Sequence, residues 1–166
     1  MTVQIPILNH TLSYDVGVYP SKLGSQMALT NAKTQMCTVM PFPTGSDVGV
    51  ELAFTIPQNY SSAPVLVIRG ILDGTPANAL AFGAQQVSTA SSETADVAYE
   101  TEDLANNSTW TGYTDEEMYE ETITLTPASA YVAGDVVFLK FYRDDSVDTT
   151  TFDFLLLDLL FQYTEA

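Results

Sequence analysis

AGDVVFLKFYRDDSVDTTTFDFLLLDLLFQY, residues 133–163, is two apolar runs separated by an acidic break. In the first run Val136, Phe138, Lys140 and Tyr142 alternate with Val137, Leu139, Phe141 and Arg143, the period of a β-strand. One face therefore carries Val137, Leu139 and Phe141. The other carries apolar residues and Lys140, whose methylene stem can lie along a sheet while its ammonium reaches water. Gly134-Asp135 before the strand is a turn signal. The segment Arg143 to Asp148 ends the run and reads as a solvated acidic turn, with Arg143 paired weakly to the aspartates beside it. Phe152 to Tyr163 is then almost continuously apolar, broken by Asp153, Asp158 and Gln162. That density predicts a strand buried on both faces or at an interface, and the aromatic content favours strand over helix. The whole stretch is expected to fold as a hairpin.

Upstream, the same rhythm recurs. Val50, Leu52, Phe54 and Ile56 share one face of a strand that Pro57 ends. Pro64 to Leu72 is a second strand, closed by the Asp73-Gly74 turn. Ala79 to Val87 is a third, rich in small residues that admit a close neighbour. Ser88 to Glu121 has ten acids and no Lys or Arg. It is expected to hold an irregular strand near Asp96–Leu104 and a solvent-facing loop around Asn106-Asn107-Ser108. A half-exposed strand is expected over Tyr119–Thr126. About six core strands, with one or two more near the N-terminus, predict an all-β antiparallel β-sandwich of jelly-roll type. Residues 1–47 read as an N-terminal arm and first strands of the same domain, and 48–166 as the sandwich core. Val3-Gln4-Ile5-Pro6-Ile7-Leu8 is either an arm that ties subunits together or an ordinary first strand, with Pro6 off any central ladder position.

Two of these stretches resemble a known family. The run from Gly134 has a Gly-Asp, an alternating strand ending in Arg-Asp, a Thr/Asp-rich turn and an apolar final strand ending in Tyr. In that order it is similar to the C-terminal hairpin of small β-sandwich structural proteins encoded by tailed phages. Leu52 to Tyr60, LAFTIPQNY, resembles the first core strand of the same proteins. The likeness spans about Val48 to Tyr163. It implies a virion component without catalytic residues. The expected role is a decoration or cement protein on the capsid exterior, made in the host cytoplasm. Its expected partner is the major capsid protein, and its expected state a homotrimer. A small jelly-roll capsid, tail or spike subunit is the alternative within that class. Val3, Ile5, Ile7, Trp110, Tyr113, Phe154, Leu156 and Phe161 are the expected interface residues.

Composition limits other roles. Twenty-one acidic residues against five basic give a net charge of −16, so no basic stripe exists to meet nucleic-acid phosphates or an anionic membrane surface. No apolar run reaches the roughly 18 residues of a spanning helix, and no charged-then-apolar leader opens the sequence. The one cysteine, Cys37, forms no intramolecular disulfide and reads as a small core residue. The one histidine, His10, lies in a polar turn with no nucleophile motif anywhere, so a Ser–His–Asp triad is not expected. One His and one Cys do not make a zinc site. No catalytic residue and no cofactor are expected. Asp144, Asp145, Asp148 and Asp153 cluster in one turn with hydroxyl neighbours, and hard oxygen ligands at such spacing make a candidate Ca²⁺ site. Trp110 and Tyr113, flanking Gly112, read as a loop platform for a sugar. A carbohydrate-binding module is therefore the competing reading from another class.

Overall fold

The alternation at Val136–Arg143 is realised as a strand with Val137, Leu139 and Phe141 fully buried and Val136, Phe138, Lys140 and Tyr142 half-buried on the opposite side. A computed structural model describes residues 1–7, 25–28, 36–45, 47–74, 79–107 and 117–166. Among the described residues there are ten strands and no helix, hence none long and apolar enough to cross a membrane. The strands are β1 (Thr2–Pro6), β2 (Ser25–Ala28), β3 (Met36–Phe42), β4 (Val48–Thr55) and β5 (Tyr60–Asp73). They continue as β6 (Leu80–Thr89), β7 (Asp103–Asn107), β8 (Met118–Thr124), β9 (Val136–Arg143) and β10 (Asp153–Glu165).

The pairing is nested. β6 pairs β7, β5 pairs β8, β4 pairs β9 and β3 pairs β10, all antiparallel. From β3 to β6, and again from β7 to β10, successive strands alternate between two sheets, whose orders are β2-β3-β10-β5-β8 and β4-β9-β6-β7. This is one long hairpin of strands wrapped into a sandwich, an antiparallel jelly roll. β1 joins the six-stranded sheet by pairing with the far end of β10, Val3 opposite Tyr163 and Ile5 opposite Phe161. β3 holds the near end, Leu156 opposite Met40. The first and last described strands therefore lie side by side.

Two sequence expectations change here. Residues 133–163 are not a hairpin: β9 lies in the four-stranded sheet and β10 in the six-stranded one, so 144–152 carries the chain across the sandwich. Alternation specifies the two faces of a strand but not its sheet, which is why the two runs looked like partners. The irregular strand expected at Asp96–Leu104 is displaced to β7, residues 103–107, and 91–98 is exposed loop. The remaining strands lie within a few residues of their expected bounds. Gly134 turns the chain into β9 at a φ of +93°, in the left-handed region that suits glycine, and Asp135 closes the turn on the Val132 carbonyl.

The core lies between the sheets and has two aromatic ends. Phe42, Phe82, Tyr119, Phe141 and Phe154 pack at one end, with Phe82 and Phe154 edge to face at 4.8 Å between ring centres. Phe54, Tyr60, Tyr131, Phe161 and Tyr163 pack at the other, with Phe54 and Phe161 at 4.9 Å. Val3 and Ile5 are half-buried against this core and Ile7 is buried in it.

Candidate functional site

The crossover 144–152 is organised by Arg143. As the next residue in phase with Val137, Leu139 and Phe141 on β9, its side chain points inward and is fully buried. Its Nε donates to Asp148 Oδ2 at 2.6 Å. One terminal nitrogen donates to the Phe42 carbonyl at 2.8 Å and the Phe152 carbonyl at 3.0 Å, and the other to Thr150 Oγ1. The guanidinium thus joins β9, in one sheet, to the ends of β3 and β10 in the other. Asp148 Oδ1 accepts from the Thr150 amide and hydroxyl, both at 2.7 Å. The expected solvated turn with a weak surface pair is therefore corrected to a buried ion pair within a hydrogen-bond network. A charge inside the sandwich is tolerable only with its donors satisfied, and every group of Arg143 finds an acceptor.

The four candidate calcium ligands have separate duties. Asp144 Oδ1 accepts from the Ser146 amide at 3.1 Å, and Asp145 Oδ1 accepts from the Gly45 amide at 2.9 Å. Asp148 is held by Arg143, and Asp153 Oδ1 accepts from the Thr44 amide at 3.3 Å. Among the described residues no three His, Cys, Asp or Glu side chains gather into a metal-sized group.

Of the expected interface residues, Phe154, Leu156 and Phe161 are at most 1% exposed and face the sandwich core, as does Ile7. They are core residues of this chain rather than interface residues, because β10 is flanked on both edges and its inward face meets the other sheet. Val3 and Ile5 keep partial exposure. Their strand does not hang free as an arm but is paired with β10. A groove of about 320 Å³ lies between the two sheets, lined by Ile5, Pro6, Ile7, Ala53, Phe54 and Thr55. Trp110, Tyr113 and His10 lie outside the described residues, as does the side chain of Cys37.

A polar and aromatic constellation that the sequence reading missed lies on the outer face of the four-stranded sheet. Strand register sets it out in rows. Gly49, Tyr142 and Gly83 face one another across β4, β9 and β6, then Glu51, Lys140 and Gln85, then Ala53, Phe138 and Val87. Tyr142 leans over Gly83, where a Cβ would stand 2.6 Å from Tyr142 Cζ and 2.5 Å from Glu102 Oε1. Only glycine leaves room for both groups to lie on the sheet at that point. The Lys140 ammonium sits 5.7 Å from the centre of the Tyr142 ring. Glu102 Oε1 is buried and accepts no hydrogen bond. The only sequence signal was the outward phase of Phe138, Lys140 and Tyr142. Glu102 joins them solely because β7 pairs with β6.

Partial burial pushes the Glu102 carboxyl above the usual carboxylate range. Asp144 and Asp47 push it further, and Lys140 opposes them. A carboxyl raised in the folded state holds its proton more tightly there than in the unfolded chain. Its contribution to stability is fully present below the unfolded value and is lost as pH rises through the folded one. Glu102→Gln removes that loss. Urea midpoints measured from about pH 4 to about pH 7 are expected to rise for the variant relative to the parent as pH increases. Parallel curves would show that Glu102 has the same affinity for its proton in both states.

No protein-family model matches this sequence, and no curated protein matches it. Similar solved structures are TmCBM61 in complex with β-1,4-galactotriose and the K3 cleaved adhesin domain of Lys-gingipain from Porphyromonas gingivalis W83. The first has 9% identity and a TM-score of 0.45, covering 96% of this chain and 91% of that one. The second has 13% identity and a TM-score of 0.46, covering 92% and 91%. A family 11 carbohydrate-binding module from Clostridium thermocellum, in complex with a β-1,3-1,4-mixed-linked tetrasaccharide, has 8% identity and a TM-score of 0.42, covering 96% and 87%. The jelly-roll assignment rests on this chain's own strand pairing.

Proposed function

We propose that this chain is a non-enzymatic structural protein of a virion, a decoration protein seated on the outside of a tailed-phage shell. The observation that supports this reading is the nested jelly-roll pairing, formed by the stretches whose order of residues resembles small phage sandwich proteins. The partner is the major capsid protein, and the oligomer is a trimer. Binding is by shape and charge. Val3, Ile5 and the groove between β1 and β4 offer apolar edges, and the exposed loop 91–98 adds acidic surface for basic patches on the shell. A protein that binds only the assembled shell stabilises it by mass action. No cofactor enters this role.

The test is copy number, by quantitative mass spectrometry on density-purified particles from the source. A simple integer ratio to the major shell protein is expected. A much smaller count would move the chain to a tail or spike, and absence from particles would end the virion reading. Deleting residues 1–12 does not test the interface alone, because it also removes β1 from its pairing with β10.

A further inference from the structure

The outer face of the four-stranded sheet carries chemistry that the fold does not use. Phe138 and Tyr142 project away from the core and are half-buried, and Leu104 on the edge strand β7 is 55% exposed. One aromatic ring between two glycines, a polar row, and a second ring between Ala53 and Val87 follow one another along β9. The polar row holds a carboxylate (Glu51), an ammonium (Lys140) and an amide (Gln85), so it both donates and accepts. Beside Tyr142 a buried carboxylate oxygen, Glu102 Oε1, has no hydrogen-bond donor. A buried acceptor without a donor is unfavourable and is relieved by any hydroxyl that reaches it.

We infer that this face binds a neutral oligosaccharide, with Tyr142 and Phe138 under its C–H faces and Glu102, Lys140, Gln85 and Glu51 on its hydroxyls. A pyranose has an apolar face and a hydroxylated rim, and this grid alternates in the same way. Gly49 and Gly83 leave no side chain beside Tyr142 to lift the ring off the sheet. Tyr142 and Phe138 are four residues apart on one strand, about 13 Å, so the ligand spans more than one ring. Glu51, Glu102, Asp47 and Asp144 surround one lysine, a field that repels acidic polysaccharides and phosphates. Lys140 rests near the ring on a flexible stem and swings to a ligand hydroxyl when the ring is covered. The inference uses neither Trp110 nor Tyr113, and it does not depend on the virion reading.

The test is binding of the purified full chain to immobilised neutral glucan, galactan and mannan fragments. Alginate and an oligo-arginine peptide serve as counter-probes. Retention on at least one neutral glycan is expected, weakened about tenfold or more by Glu102→Gln, which keeps the side chain's shape. Tyr142→Ala is expected to do the same, and Arg69→Gln, on the outer face of the other sheet, to change nothing. Gly83→Ala is expected to weaken retention by displacing Tyr142 and Glu102 without removing either. No retention on any neutral glycan would overturn the inference, as would retention unchanged by Glu102→Gln and Tyr142→Ala. Retention of oligo-arginine alone would overturn it too, and would mark a surface for a basic protein partner.

Discussion

Arg143→Met lowers the unfolding free energy by about 3–5 kcal/mol, the expected cost of breaking a buried ion pair by removing one partner. Asp148 is left as a buried carboxylate with no counter-charge, and the Phe42 and Phe152 carbonyls lose their shared donor. Urea denaturation gives the loss as a fall in midpoint at unchanged slope. Arg143→Lys is expected to fall close to the methionine variant. One ammonium cannot reproduce a planar fork that serves Asp148, Thr150 and two carbonyls at once. Arg143→Met combined with Asp148→Leu is expected to recover part of the loss, because the stranded charge is gone. A single variant within about 1 kcal/mol of the parent, the scale of an exposed pair, would return the crossover to a solvated turn.

Arg143 also marks where sequence reasoning stops. The residue sits in inward phase with Val137, Leu139 and Phe141, and that phase alone signalled burial. The neighbouring Asp144 and Asp145 drew the reading to the surface instead, because charge next to charge usually means solvent. The acceptor that decides the matter, the Phe42 carbonyl, is 101 positions upstream and invisible to any local pattern. The same limit explains the hairpin. Alternation made β4, β5, β8 and β9 legible with their faces, but sheet membership depends on which strands pair, and here the pairing is nested from β3 to β10. The candidate face fared similarly. Phe138, Lys140 and Tyr142 were legible as one face of a strand. The glycines beside Tyr142 came from β4 and β6 through register, and the carboxylate of Glu102 from the residue that leads into β7.

Phe154→Ala separates a core β10 from an interface β10, and its expected cost is about 3–5 kcal/mol in the isolated chain. The ring is fully buried against Phe42, Phe82 and Tyr119, so its removal leaves a cavity that three rigid aromatics cannot fill. Phe154 also lies directly over Gly70 of β5, where a Cβ would stand 2.2 Å from its Cζ. Gly70→Ala is therefore expected to be strongly destabilising in the parent, since the added methyl meets the ring and, at 2.7 Å, the Leu155 carbonyl. In the Phe154→Ala background the first of those clashes is gone and only the carbonyl remains. Gly70→Ala is then expected to cost less, by about 1 kcal/mol or more, a coupling that contacting residues show and distant ones do not. The four proteins of this double-mutant cycle are compared by urea denaturation at one concentration and again at a tenfold dilution. Midpoints independent of concentration, with the coupling present, place Phe154 in the fold. A parent midpoint that falls on dilution while Phe154→Ala shows no such dependence would place it in a subunit interface, because only stability held by association follows protomer concentration.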